Sequence, residues 1–308
     1  MRVEMMRRYY GIGGVVFAIE SDRDFSDGEP YSLFSIPCPT EDDVTVFSAV
    51  HAEALPRPRG EMIYEETNRR VYRDKNGDVT LYFGFYSDGR VIDREIGMMK
   101  YFTGDERNVR ILLTDGGGRL PDNSAMLFKV LFLEHLLLLN GGVILHSSYV
   151  VTRYGAVLFT APSGTGKSTQ AELWQRYKGA ETVNGDCSVI RKENGVYKAF
   201  GLPFSGSSGI CFNRTCPIAA VVALGQAREN RLKRLFGSDA FVKIFGGIKR
   251  DTWDFAGMEM CTAVLGELCA EVPVFSLDCL PDFSAVELLD RELSRCYGIK
   301  DSRKEETK

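Results

Sequence analysis

Two patterns of apolar and polar residues divide the chain. Up to about residue 118, apolar residues alternate with polar ones over short stretches, the spacing of half-buried strands. Segments 14–19, 31–36, 44–49, 61–65, 68–73, 79–85 and 109–113 are predicted strands. Asn76-Gly77 joins two of them as a hairpin turn, and Asp88-Gly89 offers another. Asp115-Gly116-Gly117-Gly118 breaks the pattern, and the domain boundary is placed there.

Beyond it, longer apolar runs alternate between strand and helix lengths. Pro121-Asp122-Asn123-Ser124 provides caps for an apolar helix running to Leu139, which Asn140-Gly141-Gly142 stops. Strands follow at 143–145 and 156–160, then a helix at 167–177 and a short strand at 182–183. A hairpin of 187–191 and 196–200 turns at Glu193-Asn194-Gly195. Residues 218–224 and 274–277 are apolar strands, and 239–246, 252–269 and 283–296 are helices. Ser284 and Glu287 have capping-box spacing at the start of the last one. The expected organisation is a β-rich N-terminal module over 1–118, an α/β domain over 119–299 and a frayed, charged tail over 300–308.

Composition narrows the class. The 308 residues are 44% apolar and 26% charged, with a net charge of −4 and no basic block. That fits a globular chain and argues against a nucleic-acid partner. The apolar run 130–139 is interrupted by Glu134 and His135 and is too short to span a bilayer, so no membrane partner is expected. No continuous apolar segment follows the N-terminal arginines, so no signal peptide is read and a cytoplasmic location is expected. Eight cysteines form no C-x-x-C pair, which suits reduced thiols and not a zinc site. His51, beside a Pro-containing loop, is expected at the surface.

The chemistry concentrates between 146 and 209. Ala161-Pro162-Ser163-Gly164-Thr165-Gly166-Lys167-Ser168 follows the pattern G-x-x-x-x-G-K-[ST], with Ala161 in place of the first Gly. A chance Gly-rich turn would not also lie between an apolar strand and a helix start. Backbone N–H groups of such a loop converge on phosphate, aided by the positive end of the helix dipole. Ser163, Gly164, Thr165, Gly166, Lys167, Ser168 and Thr169 are therefore the expected ATP-binding residues. Lys167 would reach the outer phosphates, and the Ser168 hydroxyl would sit on Mg2+.

Phosphoryl transfer also needs a carboxylate. Asp186, after the short strand 182–183, is the candidate metal ligand or base. His146, at the end of strand 143–145, would approach the same end of the sheet. The small-residue loop 201–209 suits a backbone close to a ligand, and Arg214, Arg228 and Arg231 are candidate charge clamps.

His146, the Ser163–Ser168 loop and Asp186, in this order and at these spacings, resemble the catalytic domain of HPr kinase/phosphorylase and its relatives. Those relatives include kinases of peptide-borne or free serine and, more distantly, the ATP-using phosphoenolpyruvate carboxykinases. The resemblance covers about 140–225 and is weaker to the end. It implies an α/β P-loop domain of HPr kinase/PEP carboxykinase-like type, with catalytic Asp186, His146 and Lys167 and the cofactors ATP and Mg2+. It also implies transfer to a serine or threonine hydroxyl of a peptide, protein or free amino acid. The chain has Gly185-Asp186 where HPr kinase has two adjacent Asp, and residues 1–118 do not resemble that family's N-terminal domain. Two alternatives stay open: a nucleotide-binding regulator that transfers nothing, and a carboxykinase-like enzyme acting on a small carboxylate. A homo-oligomer is also left open.

Overall fold

In the N-terminal half the alternating pattern builds one twisted sheet. The computed structural model describes residues 5–25, 28–40, 44–87, 90–114, 127, 128 and 130–299. Two compact units divide the chain, Met1–Leu133 and Glu134–Lys308. The expected break at 115–118, the turn at Asp88-Gly89 and the caps at 121–124 lie outside the described residues.

The strands of the first unit are β1 (Met6–Ile12), β2 (Val15–Ser21), β3 (Ser35–Ile36), β4 (Thr45–Ala52), β5 (Glu61–Glu66), β6 (Arg69–Arg73), β7 (Val79–Ser87), β8 (Arg90–Phe102) and β9 (Asp105–Thr114). Their order is β3-β1-β2-β4-β9-β8-β7-β6-β5. Strand β4 runs parallel to both β2 and β9.

Two of these strands were not predicted. In β1 only Tyr10 and Ile12 are buried, at its C-terminal end, and Arg7 and Arg8 before them hide the pattern. In β8 the pairing with β7 shifts register near Gly84, so strict alternation is lost. Gly97 reads as a breaker, yet a Cβ there would lie 3.0 Å from the Leu112 carbonyl oxygen, a close approach that favours glycine. Segment 31–36 is mostly a 3-10 turn, Tyr31–Phe34, and only its last two residues pair as β3. His51 is not a surface residue: its Nδ1 lies 2.7 Å from Asp22 Oδ1, with the imidazole largely covered.

The second unit begins at a broken helix. The single helix expected up to Leu139 is interrupted at Phe132, where φ is 47°, and only α1 (Leu133–Leu139) continues. Then follow β10 (Gly142–Thr152), β11 (Gly155–Thr160), α2 (Lys167–Lys178), β12 (Glu181–Asn184), β13 (Cys187–Glu193), β14 (Val196–Phe200), β15 (Thr215–Gln226) and β16 (Arg231–Leu235). The last described elements are α3 (Gly237–Phe245), β17 (Ile248–Lys249), α4 (Phe255–Glu271), β18 (Val274–Cys279) and α5 (Phe283–Tyr297). Strand order is β11-β10-β13-β14-β15-β18-β16, with β12 and β17 also paired to β10 and β11 paired to β15. Asp282, not Ser284, caps α5: its carboxylate accepts from Ala285 N at 3.2 Å.

Strand β11 shows why this sheet has two covered faces. Ala156 and Leu158 pack in one core with α3 and α4 residues such as Ile244 and Leu265. Val157 and Phe159 pack in another with Ala171 and Trp174 of α2 and Leu289 of α5. A strand buried on both sides reads as a continuous apolar run, as 156–160 does. Trp174 is wholly enclosed, and truncating such a side chain costs about 3–5 kcal/mol. This packing fixes where β11 ends and α2 begins.

Candidate active site

Strand β10 is the element that sequence reasoning shortened. It was expected to stop at Leu145, but it runs on through His146, Ser147 and Ser148 to Thr152. Polar residues can continue here because each serine is satisfied. Ser147 Oγ lies 2.7 Å from Ser188 Oγ, and Ser148 Oγ donates to Gly185 O at 3.1 Å. The strand also changes partner at this point. His146 is opposite Cys187 of β13, whereas Ser147 is opposite Thr160 of β11. His146 therefore stands mid-strand, where the sheet divides, beside the loop that leaves β11. Thr160 Oγ1 donates to His146 O at 2.9 Å, and His146 N donates to Gly247 O at 2.8 Å.

The loop after β11 turns on two glycines. Gly164 and Gly166 have φ of 77° and 117°, values an L side chain rarely adopts. A Cβ at either position would stand in open space. Gly166 is the N-cap of α2 and has no side chain to take up the first amides of the helix. Lys167 is buried, and its Nζ donates to Ala161 O at 3.0 Å and Pro162 O at 3.4 Å. Burial lowers the pKa of this ammonium, while the Asp186 carboxylate pulls it back up in part.

Opposite the loop, Asp186 sits between β12 and β13. Its Oδ1 is 3.3 Å from His146 Nε2, and its Oδ2 accepts from Cys187 Sγ at 3.1 Å. Burial pushes the Cys187 thiol up to about 12, so it stays protonated and can donate. His146 is shifted down, by burial first and then by Lys167 and Lys249, against the upward pull of Asp186. The imidazole is therefore neutral near pH 7. Lys249, on β17 beside Ile144, brings a further ammonium to this corner. Its own burial would lower its pKa, but a hydrogen bond to Cys187 and the charges of Glu134 and Asp186 raise it overall, so it stays charged.

These residues face one cleft of about 280 Å3. The 163–169 loop contributes Ser163, Gly164, Gly166, Lys167, Ser168 and Thr169, and the other walls contribute His146, Gly185, Asp186, Ser205, Ser207 and Ser208. Of the predicted site residues only Thr165 does not line it; its N–H donates back to Pro162 O at 3.3 Å. The arginines are elsewhere. Arg214 pairs with Glu181 and Arg231 with Glu229, and neither they nor Arg228 reach the cleft. Sequence reasoning missed Asn184, Cys187 and Lys249, which support Asp186 from behind or from a two-residue strand; nothing in their spacing marks them.

The donor set fits a phosphate chain and Mg2+. Left-handed glycines, helix-start amides and a buried ammonium held, among the described residues, by two carbonyls make an anion cradle. Among the described residues no group of three or more His, Cys, Asp and Glu could hold a metal by itself. Ser168 and Asp186 are the residues that would hold Mg2+.

No protein-family model matches the chain, and no curated protein matches it. Among solved structures it is similar to the HPr(Ser) kinase/phosphatase from Coxiella burnetii, at 14% identity and a TM-score of 0.31, over 48% of this chain and 94% of that one. No helix among the described residues is long and apolar enough to cross a membrane.

Proposed function

We propose that the chain is an ATP-dependent phosphotransferase that moves the γ-phosphate to a serine or threonine hydroxyl of a peptide, protein or free amino acid. One observation carries the reading. The Lys167 loop and the Asp186–His146 pair meet across a single cleft.

In this reading the 163–169 loop holds the phosphates of ATP, and Lys167 leaves its carbonyl partners for the β- and γ-phosphate oxygens. Ser168 and Asp186 would hold Mg2+, which would supply positive charge to the transferring group. The acceptor hydroxyl enters from the Ser205–Ser208 side, and its proton passes to the Asp186–His146 pair. Its oxygen forms a bond to the γ-phosphorus as the bond to the bridging oxygen breaks, and ADP leaves. Neutral His146 is able to take up or share that proton near pH 7. Closure of the 201–209 loop over the cleft would exclude water and limit wasteful hydrolysis.

Incubation with γ-labelled ATP and Mg2+, offering free serine, free threonine, serine-containing peptides and the protein HPr, tests the reading. Label in one acceptor, absent with Lys167→Ala, supports it. Tight ATP binding with no label in any acceptor favours the nucleotide-binding regulator.

A further inference from the structure

Asn184 is fully buried at the end of β12, and its amide has no spare hydrogen-bonding position. Oδ1 accepts from Asp186 N and from Cys187 N, both at 2.9 Å. Nδ2 donates to Leu202 O at 3.0 Å and to Phe204 O at 2.9 Å. A side-chain amide has two donors and two acceptor lone pairs, and all four are engaged. The orientation is unambiguous: the flipped amide would aim N–H at two N–H groups and oxygen at two carbonyls.

Two of those partners lie in the turn that carries Asp186. The other two lie in the segment that leads into the Ser205–Ser208 wall of the cleft. The same two pieces touch elsewhere without slack. Gly185 N donates to Ile210 O at 3.3 Å. A Cβ on Gly185 would stand 2.3 Å from Ser208 Oγ, and one on Gly206 would stand 2.7 Å from Asp186 Cγ. A satisfied buried amide is worth more than its single bonds, because losing either half leaves unpaired polar groups in a dry setting.

We infer that Asn184 is a positioning residue: it locks the Asp186 carboxylate to the serine wall, so that the two hold one geometry. An acceptor resting on Ser205–Ser208 is thereby aligned with Asp186 before any reaction. The consequence for phosphate transfer rests on the proposed function, whereas the mechanical link does not.

The test uses the full chain with Asn184→Asp, which keeps the shape and both acceptor roles but sets oxygen against the Leu202 and Phe204 carbonyls. Asn184→Ser is the milder partner; its hydroxyl can serve the turn but is too short to span to the loop. Asp290→Asn, which lines no part of the cleft, controls for lost stability alone. Amide hydrogen exchange is expected to rise by about tenfold or more both at 186–187 and across 201–212, with α2 unchanged, and not to do so in the control. In parallel, ATP affinity measured in EDTA should stay within about twofold, while the Mg2+ concentration for half-maximal ATP binding rises about fivefold or more, as it does for Asp186→Asn. Unchanged exchange in either segment, or an equal rise in the control, overturns the inference. A wild-type chain that binds no ATP overturns the proposed function instead, and the exchange data alone then decide the link.

Discussion

His146 Nε2 and Asp186 Oδ1 stand 3.3 Å apart, yet the imidazole is shifted toward its neutral form. Burial and the nearby ammonium groups of Lys167 and Lys249 outweigh the carboxylate. The pair is therefore a proton acceptor near neutrality and not a fixed ion pair.

That balance sets a pH dependence. An unfolded histidine titrates near 6.5, and folded His146 titrates below that. Between the two values the unfolded chain binds more protons, so stability rises with pH there. The contribution is fully present above about 6.5 and is lost as pH falls through the window below it. Urea denaturation at pH 7.5 and 5.5 should show a larger acid loss for the wild type than for His146→Gln. Equal losses would contradict the shift.

Lys167→Ala should separate binding from stability. A charge-assisted hydrogen bond contributes about 1.5–3 kcal/mol, so ATP affinity should fall by about 10- to 150-fold. Folding stability should not fall, because the ammonium is buried against two carbonyls and forms no ion pair among the described residues. Nucleotide titration and thermal unfolding of the same samples check both halves. An affinity equal to wild type would remove Lys167 from the site.

Asp186→Asn keeps the side chain's size and removes its charge and basicity. Transfer should slow by about 100- to 10,000-fold, the usual contribution of a positioned acid–base group. Steady-state rates with the best acceptor measure it, and a rate within threefold of wild type would contradict the assignment.

Gly185→Ala forces a Cβ to within 2.3 Å of Ser208 Oγ and 2.4 Å of its Cβ. Overpacking of this kind costs about 1–3 kcal/mol, read as a lowered denaturation midpoint. Ser208→Gly in the same chain should recover most of the loss, since it removes the atoms that collide. Simple additivity of the two changes would show that the contact does not set the cost.

Much of this was legible because it is local. The strand 156–160, the glycine turn and the helix from Lys167 lie within one short stretch and announce themselves. Asp186 and His146 were chosen for what phosphoryl transfer would need, and the chain's topology puts the two side by side. Other features were hidden by tertiary context. His146-Ser147-Ser148 looks like a strand end until the partners Ser188 and Gly185 O are seen. Strand β17 is two residues long and exists only because β10 offers an edge. Asn184 looks like a turn residue, and its role appears only when residues 202 and 204 come back over it. The arginine candidates failed for the complementary reason: charge in sequence says nothing of direction, and Arg214 turns to Glu181.

Calorimetric titration of the full chain with ATP, with Mg2+ and with EDTA, beside Lys167→Ala, is the most direct measurement. One site that tightens with Mg2+ and weakens by about tenfold or more in Lys167→Ala is the predicted result. Binding identical in the two proteins, or no heat at all in the wild type, would contradict a phosphate site built on the 163–169 loop.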